Sequence, residues 1–442
     1  PGLPAWLDEL VLALLAKDPR ARLGYAQDVA AALAAHGVPG AAPDACPGYV
    51  YRARLIGRAA AVARFEPVLT ALHDGRGGVV ELAGASGVGK TRLAVELATR
   101  AAAEGVRVIA AECAAVAPDR DDGRGGAGAA PLAPLAPLLQ AVADRCVELG
   151  PAATARLVGD HAAVLAAYAP GLERLPGVVA GPPPSPLSVE STRARLFRAL
   201  RETLCALAAD GPLLLVIDDA QWADELTLRF LASLTPALLA RTPVALMLTR
   251  RAEPAAPLVD ALVRRPDATA IPIGALTTAE VQAMVGDMLA LPDVPPALVG
   301  TVAAHAGGVP FHVGEYLRAA VDDGVLTRPP GGAWTLAGRD APLPGTLAEL
   351  LRHRLARLGP VGRAVAGHAA VLGRDVEPAL LAEALGVDGA VVDGALRELV
   401  RRHILEEQGR ASLRFGHDQL RAAAYATLAP DARRRAHRAV AS

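Results

Sequence analysis

Gly84-Ala85-Ser86-Gly87-Val88-Gly89-Lys90-Thr91 is the stretch on which the reading of this chain turns. The eight residues fit G-x-x-x-x-G-K-[ST], a loop that cradles phosphate between a strand and a helix. Val79 to Ala83 just before it is an apolar run of strand length, and Lys90 to about Glu104 reads as helix, so the loop sits in the context its chemistry requires. Gly84, Gly87 and Gly89 permit close backbone approach, while the loop N–H groups and the helix N-terminus face an anion. Ser86, Val88 and Arg92 belong to the same binding set. Lys90 is expected to reach the β- and γ-phosphates, and the Thr91 hydroxyl to hold Mg²⁺. Arginine supplies nearly all of the 45 basic residues; Lys90 and Lys17 are the two lysines. A compact ammonium kept at this point fits a phosphate contact better than a planar guanidinium does.

Further strands follow. Val106 to Ala111 is a second candidate. Leu213 to Ile217 is wholly apolar and ends in Asp218 and Asp219, and Val244 to Leu248 ends in Thr249, Arg250 and Arg251. Strands alternating with helices imply right-handed crossovers and a parallel sheet. Ligands of such sheets bind at the carboxyl ends of the strands, where all three special segments fall. Asp218 is then the Mg²⁺ carboxylate, acting through water, and Asp219 the general base that polarises the attacking water. Arg250 can read the γ-phosphate bidentately. Trp222 reads as a packing residue.

With 442 residues the chain can hold two or three domains. Hydrophobic residues make up 52% and aromatics 3%, so the cores should be Ala, Leu and Val with much helix. The net charge of −1 gives no global field toward nucleic acid or membrane. No apolar run is long enough to span a bilayer. Cys46, Cys113, Cys146 and Cys205 lack metal-ligand spacing and read as reduced thiols of a cytoplasmic protein. The chain begins at Pro1 and is read as a piece of something longer.

From residue 277 the strand signal fades. Thr277 and Glu280 form a capping box, and helices continue to about residue 323. Gly308-Val309-Pro310 makes a corner that can set a rigid apolar ring against adenine. Four helical stretches run from Pro344 to about Arg402. Two short strands, His403 to Gln408 and Ser412 to Phe415, then flank Gly409 and Arg410, a pattern that suggests a winged helix. Residues 117–136 and the Pro-rich 182–186 read as loops.

On these residues the chain resembles the STAND class of signal-transduction P-loop ATPases, especially the AAA-type modules of large bacterial regulators. YVYRARLIGR (Tyr49 to Arg58) is similar to the family's opening segment, and LLLVIDDAQWAD (Leu213 to Asp224) to its Walker B strand. GGVPFHVGEYL (Gly307 to Leu317) is similar to its lid motif, and LRFGHDQLRAAAY (Leu413 to Tyr425) to its winged-helix end. The resemblance implies ATP, ADP and Mg²⁺ as ligands and Arg250 as the sensor arginine. It also implies Pro310 near adenine and His417 on the ADP β-phosphate, locking a closed state. The family's acidic residues after Gly-Arg stand here as Ala59 and Ala61, so base-edge contacts are not carried over. LLAKDPRARLGYAQDVAAAL (Leu14 to Leu33) resembles the end of a bacterial Ser/Thr protein kinase C-lobe, with Arg22 as its pairing arginine.

The expected architecture is an α/β P-loop NTPase, a parallel sheet with helices on both faces, followed by an all-helical lid and a winged-helix domain. The expected boundaries are 1–38 for the kinase remnant, 39–54 for a linker and 55–275 for the NTPase. The lid takes 276–340, the winged helix 341–430, and 431–442 opens a helical repeat region. The expected function is an ADP/ATP-controlled switch with slow hydrolysis. Its partners are a kinase domain upstream in cis and further copies of itself, not nucleic acid or membrane. The rival readings are a winged-helix DNA-binding ATPase of origin-recognition type and a non-hydrolysing scaffold held together by nucleotide. Near-neutral charge speaks against the first, and a turnover assay separates the second.

Overall fold

The computed structural model describes residues 4–17, 25–38, 50–113, 131–178, 187–253, 257–291, 293–329, 332, 334–336, 346–408 and 412–441. Arg22, linker residues 39–49, loop residues 117–130, the Pro-rich 182–186 and the turn at Gly409 and Arg410 lie outside them. Two compact units form: Gly57–Gly274, and Pro1–Ile56 together with Ala275–Ser442.

Gly57–Gly274 is built on five parallel strands in the order β2-β3-β4-β1-β5. They are β1 Gly78–Gly84, β2 Arg107–Glu112, β3 Leu213–Asp218, β4 Val244–Arg251 and β5 Ala268–Pro272. β3 is buried at every position, as an inner strand covered on both faces should be. Burial of each large aliphatic side chain there contributes roughly 1.5–3 kcal/mol. β5 escaped the sequence reading because Ala-Thr-Ala-Ile-Pro is short and weakly apolar; it pairs with β1 at the sheet edge. β4 lies between β1 and β3, with Gly84 opposite Arg251 and Ile217 opposite Leu248. The end of β4 therefore stands between the phosphate loop and the paired acids.

Successive side chains of a strand point to opposite faces. Leu213, Leu215, Ile217, Leu246 and Leu248 enter one apolar cluster, together with Leu138, Leu139, Val142, Leu200 and Leu204 from helices Ala136–Leu149 and Val189–Ala208. Helix Lys90–Ala103, which follows the loop, packs against β1 to β4 and buries Leu93 and Leu97. Part of the segment read as loop is ordered: Ala133–Leu135 is a helical turn with Leu132 and Leu135 buried.

The second unit is mainly helical. Helices Thr278–Met288, Pro296–Ala306 and Pro310–Asp322 pack around Val281, Val285, Val302 and Tyr316. Thr277 and Glu280 form the expected capping box. A two-stranded ribbon, β6 Leu326–Thr327 with β7 Thr335–Leu336, follows. Four helices, Leu347–Ala356, Pro360–Leu372, Pro378–Leu385 and Gly389–Arg401, lead into an antiparallel sheet in the order β8-β10-β9. Its strands are β8 Asp375–Val376, β9 Leu405–Gln408 and β10 Ser412–Phe415, and helices Asp418–Ala426 and Pro430–Ala441 end the chain.

The N-terminal residues join this unit through helix Ala26–Ala35. Tyr25 Oη donates to the Leu289 carbonyl at 2.6 Å, and Arg328 pairs bidentately with Asp28 at 2.8 and 2.6 Å, its guanidinium 4.1 Å above the Tyr25 ring. Burial pushes the Tyr25 phenol up to about 12, so it stays a hydrogen-bond donor. Among the described residues no helix is long and apolar enough to cross a membrane.

Candidate nucleotide site

The loop is shaped by its glycines. Gly87 and Gly89 have φ of 82° and 93°, left-handed values that cost an L-residue about 1–2 kcal/mol. At Gly84 space is the constraint: a Cβ would stand 2.4 Å from the Ile273 carbonyl oxygen. The loop is braced from outside by Arg58, whose guanidinium donates to the carbonyls of Val88 at 2.9 Å and Gly274 at 3.0 Å. Sequence reading placed Arg58 in the opening segment but gave it no task.

Lys90 is buried, and its Nζ donates to the carbonyls of Gly84 at 3.0 Å and Ala85 at 2.9 Å. Burial pushes its ammonium below the ordinary lysine range. Asp219 opposes that shift most, Arg251 adds to it, and Asp218 and Glu253 oppose it. Thr91 Oγ1, in the first turn of the helix, donates to Asp218 Oδ2 at 2.8 Å. The other Asp218 oxygen accepts from Thr249 Oγ1 at 2.5 Å. Thr249 also accepts the Asp219 main-chain N–H at 2.8 Å. One β4 hydroxyl thus ties together both acids of β3. Asp219 has φ 53° and ψ 47°, a strained region for a side-chain-bearing residue of the kind that clusters at functional sites. Gln221 Nε2 donates to its Oδ1 at 2.9 Å.

The structure brings Gly84, Lys90, Thr91, Asp218 and Asp219 together. Arg250 does not join them. Strand alternation puts it on the face of Leu246 and Leu248, where its guanidinium donates to the buried Glu81 and lies 3.8 Å from Asp260. The arginine on the Thr249 face is Arg251, the one that acts on the charge of Lys90. Its guanidinium is 5.9 Å from the ring centre of Trp222. Trp222 is 41% exposed, so it is a surface residue of the strand ends and not the packing residue expected. Cys113 is also near the acids; burial pushes its thiol up to about 12, which favours the protonated thiol.

Pro310 and His417 belong to the second unit. Pro310 opens helix Pro310–Asp322 after the Gly307-Gly308 turn. Gly308 has φ 70°, and a Cβ on it would meet the Leu276 carbonyl oxygen at 2.2 Å, so both conformation and space require glycine there. His417 caps helix Asp418–Ala426, its Nδ1 accepting the Gln419 N–H at 3.2 Å. Burial pushes its imidazole down to about 4. It is therefore neutral near pH 7, with the proton on Nε2. The Phe311 ring stacks on it at 3.8 Å, joining the helix of Pro310 to that of His417.

The donor set fits Mg²⁺·nucleotide. A hydroxyl and a carboxylate in contact offer the hard oxygens that Mg²⁺ takes, usually one or two from protein with the rest from phosphate and water. An αL glycine at a helix start beside a buried lysine offers the N–H cradle and the cation that phosphate takes.

Comparison with known proteins bears on the domain that carries these residues. Residues 54–248 match the family described as AAA ATPase domain, and this region is a parallel-sheet P-loop NTPase. No curated protein matches the chain. Among solved structures the chain is similar to a STAND protein with a tetratricopeptide repeat sensor from Pyrococcus horikoshii, at 12% identity and TM-score 0.47. That match covers 87% of this chain, which spans 44% of the other. The ORC1 protein of Aeropyrum pernix in complex with DNA matches at 16% identity and TM-score 0.37, over 84% of this chain and 93% of that one. The RuvB Holliday junction branch migration motor of Thermotoga maritima matches at 15% and 0.34, over 82% and 93%.

Proposed function

We propose that the unit Gly57–Gly274 binds Mg²⁺·ATP at residues 84–91 and hydrolyses it slowly. We further propose that the nucleotide state is the switch of a STAND-type signalling protein. The observation that carries this reading is the 2.8 Å contact of Thr91 with Asp218, residues 127 apart in the chain, beside a buried lysine. Mg²⁺ supplies neutralisation of the phosphate oxygens when bound; Thr91 and Asp218 would hold it, the carboxylate through water. Lys90 and the loop N–H groups bind the β- and γ-phosphates. Asp219 orients a water and takes its proton as the water oxygen bonds to the γ-phosphorus. The bond from that phosphorus to the bridging oxygen breaks, and its electron pair leaves on ADP. Arg251 takes the γ-phosphate role first expected of Arg250, because it shares the Thr249 face.

In the other unit we assign Pro310 and His417 to reading the nucleotide state. Residues 341–430 are read as a winged helix. A kinase domain upstream in cis and self-assembly remain the partners of this reading, resting on the likeness of Leu14 to Leu33 and on the four family motifs. Turnover by the purified chain tests the chemistry. The wild type should release phosphate from ATP in a Mg²⁺-dependent way, and Asp219→Asn should bind ATP while turning over on the order of 100-fold more slowly. Undiminished turnover in Asp219→Asn would remove Asp219 from the mechanism.

A further inference from the structure

The amide of Gln221 spans the ends of two strands. We propose that Gln221 is the positioning residue of the hydrolytic centre, holding the Asp219 carboxylate in register with the end of β4. The inference rests on the reading of the site as an ATPase. Asp219 sits in a left-handed turn, a conformation that aspartate adopts more readily than most residues but that here fixes the direction of its side chain. Two of its hydrogen bonds tie it to two different elements. Its main-chain N–H donates to Thr249 Oγ1 at 2.8 Å, and its Oδ1 accepts from Gln221 Nε2 at 2.9 Å. Gln221 is anchored in turn, since its Oε1 accepts the Arg251 main-chain N–H at 3.3 Å. The backbone of Asp219 is thus fixed by β4 through Thr249, and its carboxylate is fixed by β4 through Gln221.

A primary amide suits this place for a chemical reason. It offers a donor and an acceptor about one amide width apart, and here the donor meets a carboxylate while the acceptor meets an N–H. Fixing Oδ1 sets the rotation of the carboxylate about its Cβ–Cγ bond. A group that must align a water with the γ-phosphorus and take its proton depends on that rotation, and small misplacements are costly in rate. Gln221 touches neither phosphate nor water in this scheme; it acts through Asp219.

Three variants test it. Gln221→Ala should lower kcat roughly 10- to 100-fold and leave KM and the ATP dissociation constant within about threefold, since only an orientation is lost. Gln221→Glu is nearly isosteric. It keeps the acceptor for the Arg251 N–H, loses the donor to Asp219 and adds a like charge beside it. It should lose at least as much turnover as Gln221→Ala and remain folded. In the Asp219→Asn background, Gln221→Ala should cost less than about twofold more, because residues that act as a unit are not additive. Gln221→Glu that turns over like wild type overturns the inference. So does a full additive loss in the Asp219→Asn background, or ATP affinity that falls in step with kcat. If the wild type binds ATP yet turns over no faster than Lys90→Ala, the hydrolysis reading falls and this inference with it. Wild-type turnover with an unaffected Gln221→Glu removes this inference alone.

Discussion

Two buried carboxylates, one in each unit, are solved in opposite ways. Glu315 of helix Pro310–Asp322 is wholly buried and accepts from the guanidinium groups of Arg318 and Arg354. Arg354 also donates to the Arg402 carbonyl, so this network ties helix Leu347–Ala356 to the end of Gly389–Arg401. Asp218 is 7% exposed and accepts from two threonine hydroxyls. Among the described residues no ion pair is made to it. Glu315 is matched by guanidinium groups within its own unit, whereas the Asp218 oxygens meet neutral hydroxyls that a cation could replace. The difference marks where structure serves stability and where it serves chemistry.

The largest expected effect is at the site itself. Lys90→Ala removes two or more charge-assisted contacts to phosphate, each about 1.5–3 kcal/mol, and should weaken ATP binding roughly 1,000-fold. Equal affinity of variant and wild type by calorimetry would break the assignment.

The closed network should fail differently. Arg354→Ala leaves Glu315 with Arg318 alone and should cost about 1.5–3 kcal/mol of stability, while a Glu315→Met, Arg354→Met double variant should cost less. Denaturant melts that rank these two the other way would mean that the network is not what holds the helices.

The two neighbouring arginines sharpen the contrast on a smaller scale. Arg251→Ala should slow turnover on the order of 100-fold with little change in melting. Arg250→Ala should leave the buried Glu81 without its guanidinium and lower stability by about 1–3 kcal/mol. Kinetics and melts on the same two proteins check this, and reversed roles would restore Arg250 as the sensor.

The smallest effect is with pH. His417 faces Asp418, Arg374, Glu315 and His312, and its imidazole is pushed down to about 4 by burial; His403 is pushed to about 4 as well. Their unfolded values lie near 6.5, so between about pH 6.5 and 4 the unfolded chain binds more protons. Stability should therefore fall as the solution is acidified through that window. Asp322, whose carboxyl burial raises, works in the opposite direction. His417→Gln should lose less melting temperature than wild type between pH 7 and 4.5; parallel curves would contradict the neutral imidazole.

How much of this was legible follows from how local each feature is. The phosphate loop, the β3 acids and the Thr277 capping box are written in contiguous residues, so spacing and strand context were enough. β5 was missed because an edge strand of five residues carries little apolar pattern. The choice between Arg250 and Arg251 turned on strand alternation. Counting from the buried Leu246 and Leu248 would have put Arg250 on their face, but the sequence does not say which face holds the helix of Lys90. Gln221, Thr249 and Arg58 meet Arg251, Asp218 and Val88 at separations of 30, 31 and 30 residues, relations that exist only once the sheet is assembled. The Glu315 network joins residues 39 apart, and on a helix that also carries His312, Arg318 and Asp322 a glutamate gave no sequence signal.

The central claim is that Asp218 and Thr91 form a place for the cation of Mg²⁺·ATP. Its most direct test is ATP binding to wild type and Asp218→Asn, each measured with Mg²⁺ and with EDTA. The account predicts that Mg²⁺ tightens binding to the wild type and that this gain vanishes in Asp218→Asn, which still folds and binds ATP in EDTA through Lys90 and the loop. An equal Mg²⁺ gain in both proteins would contradict it.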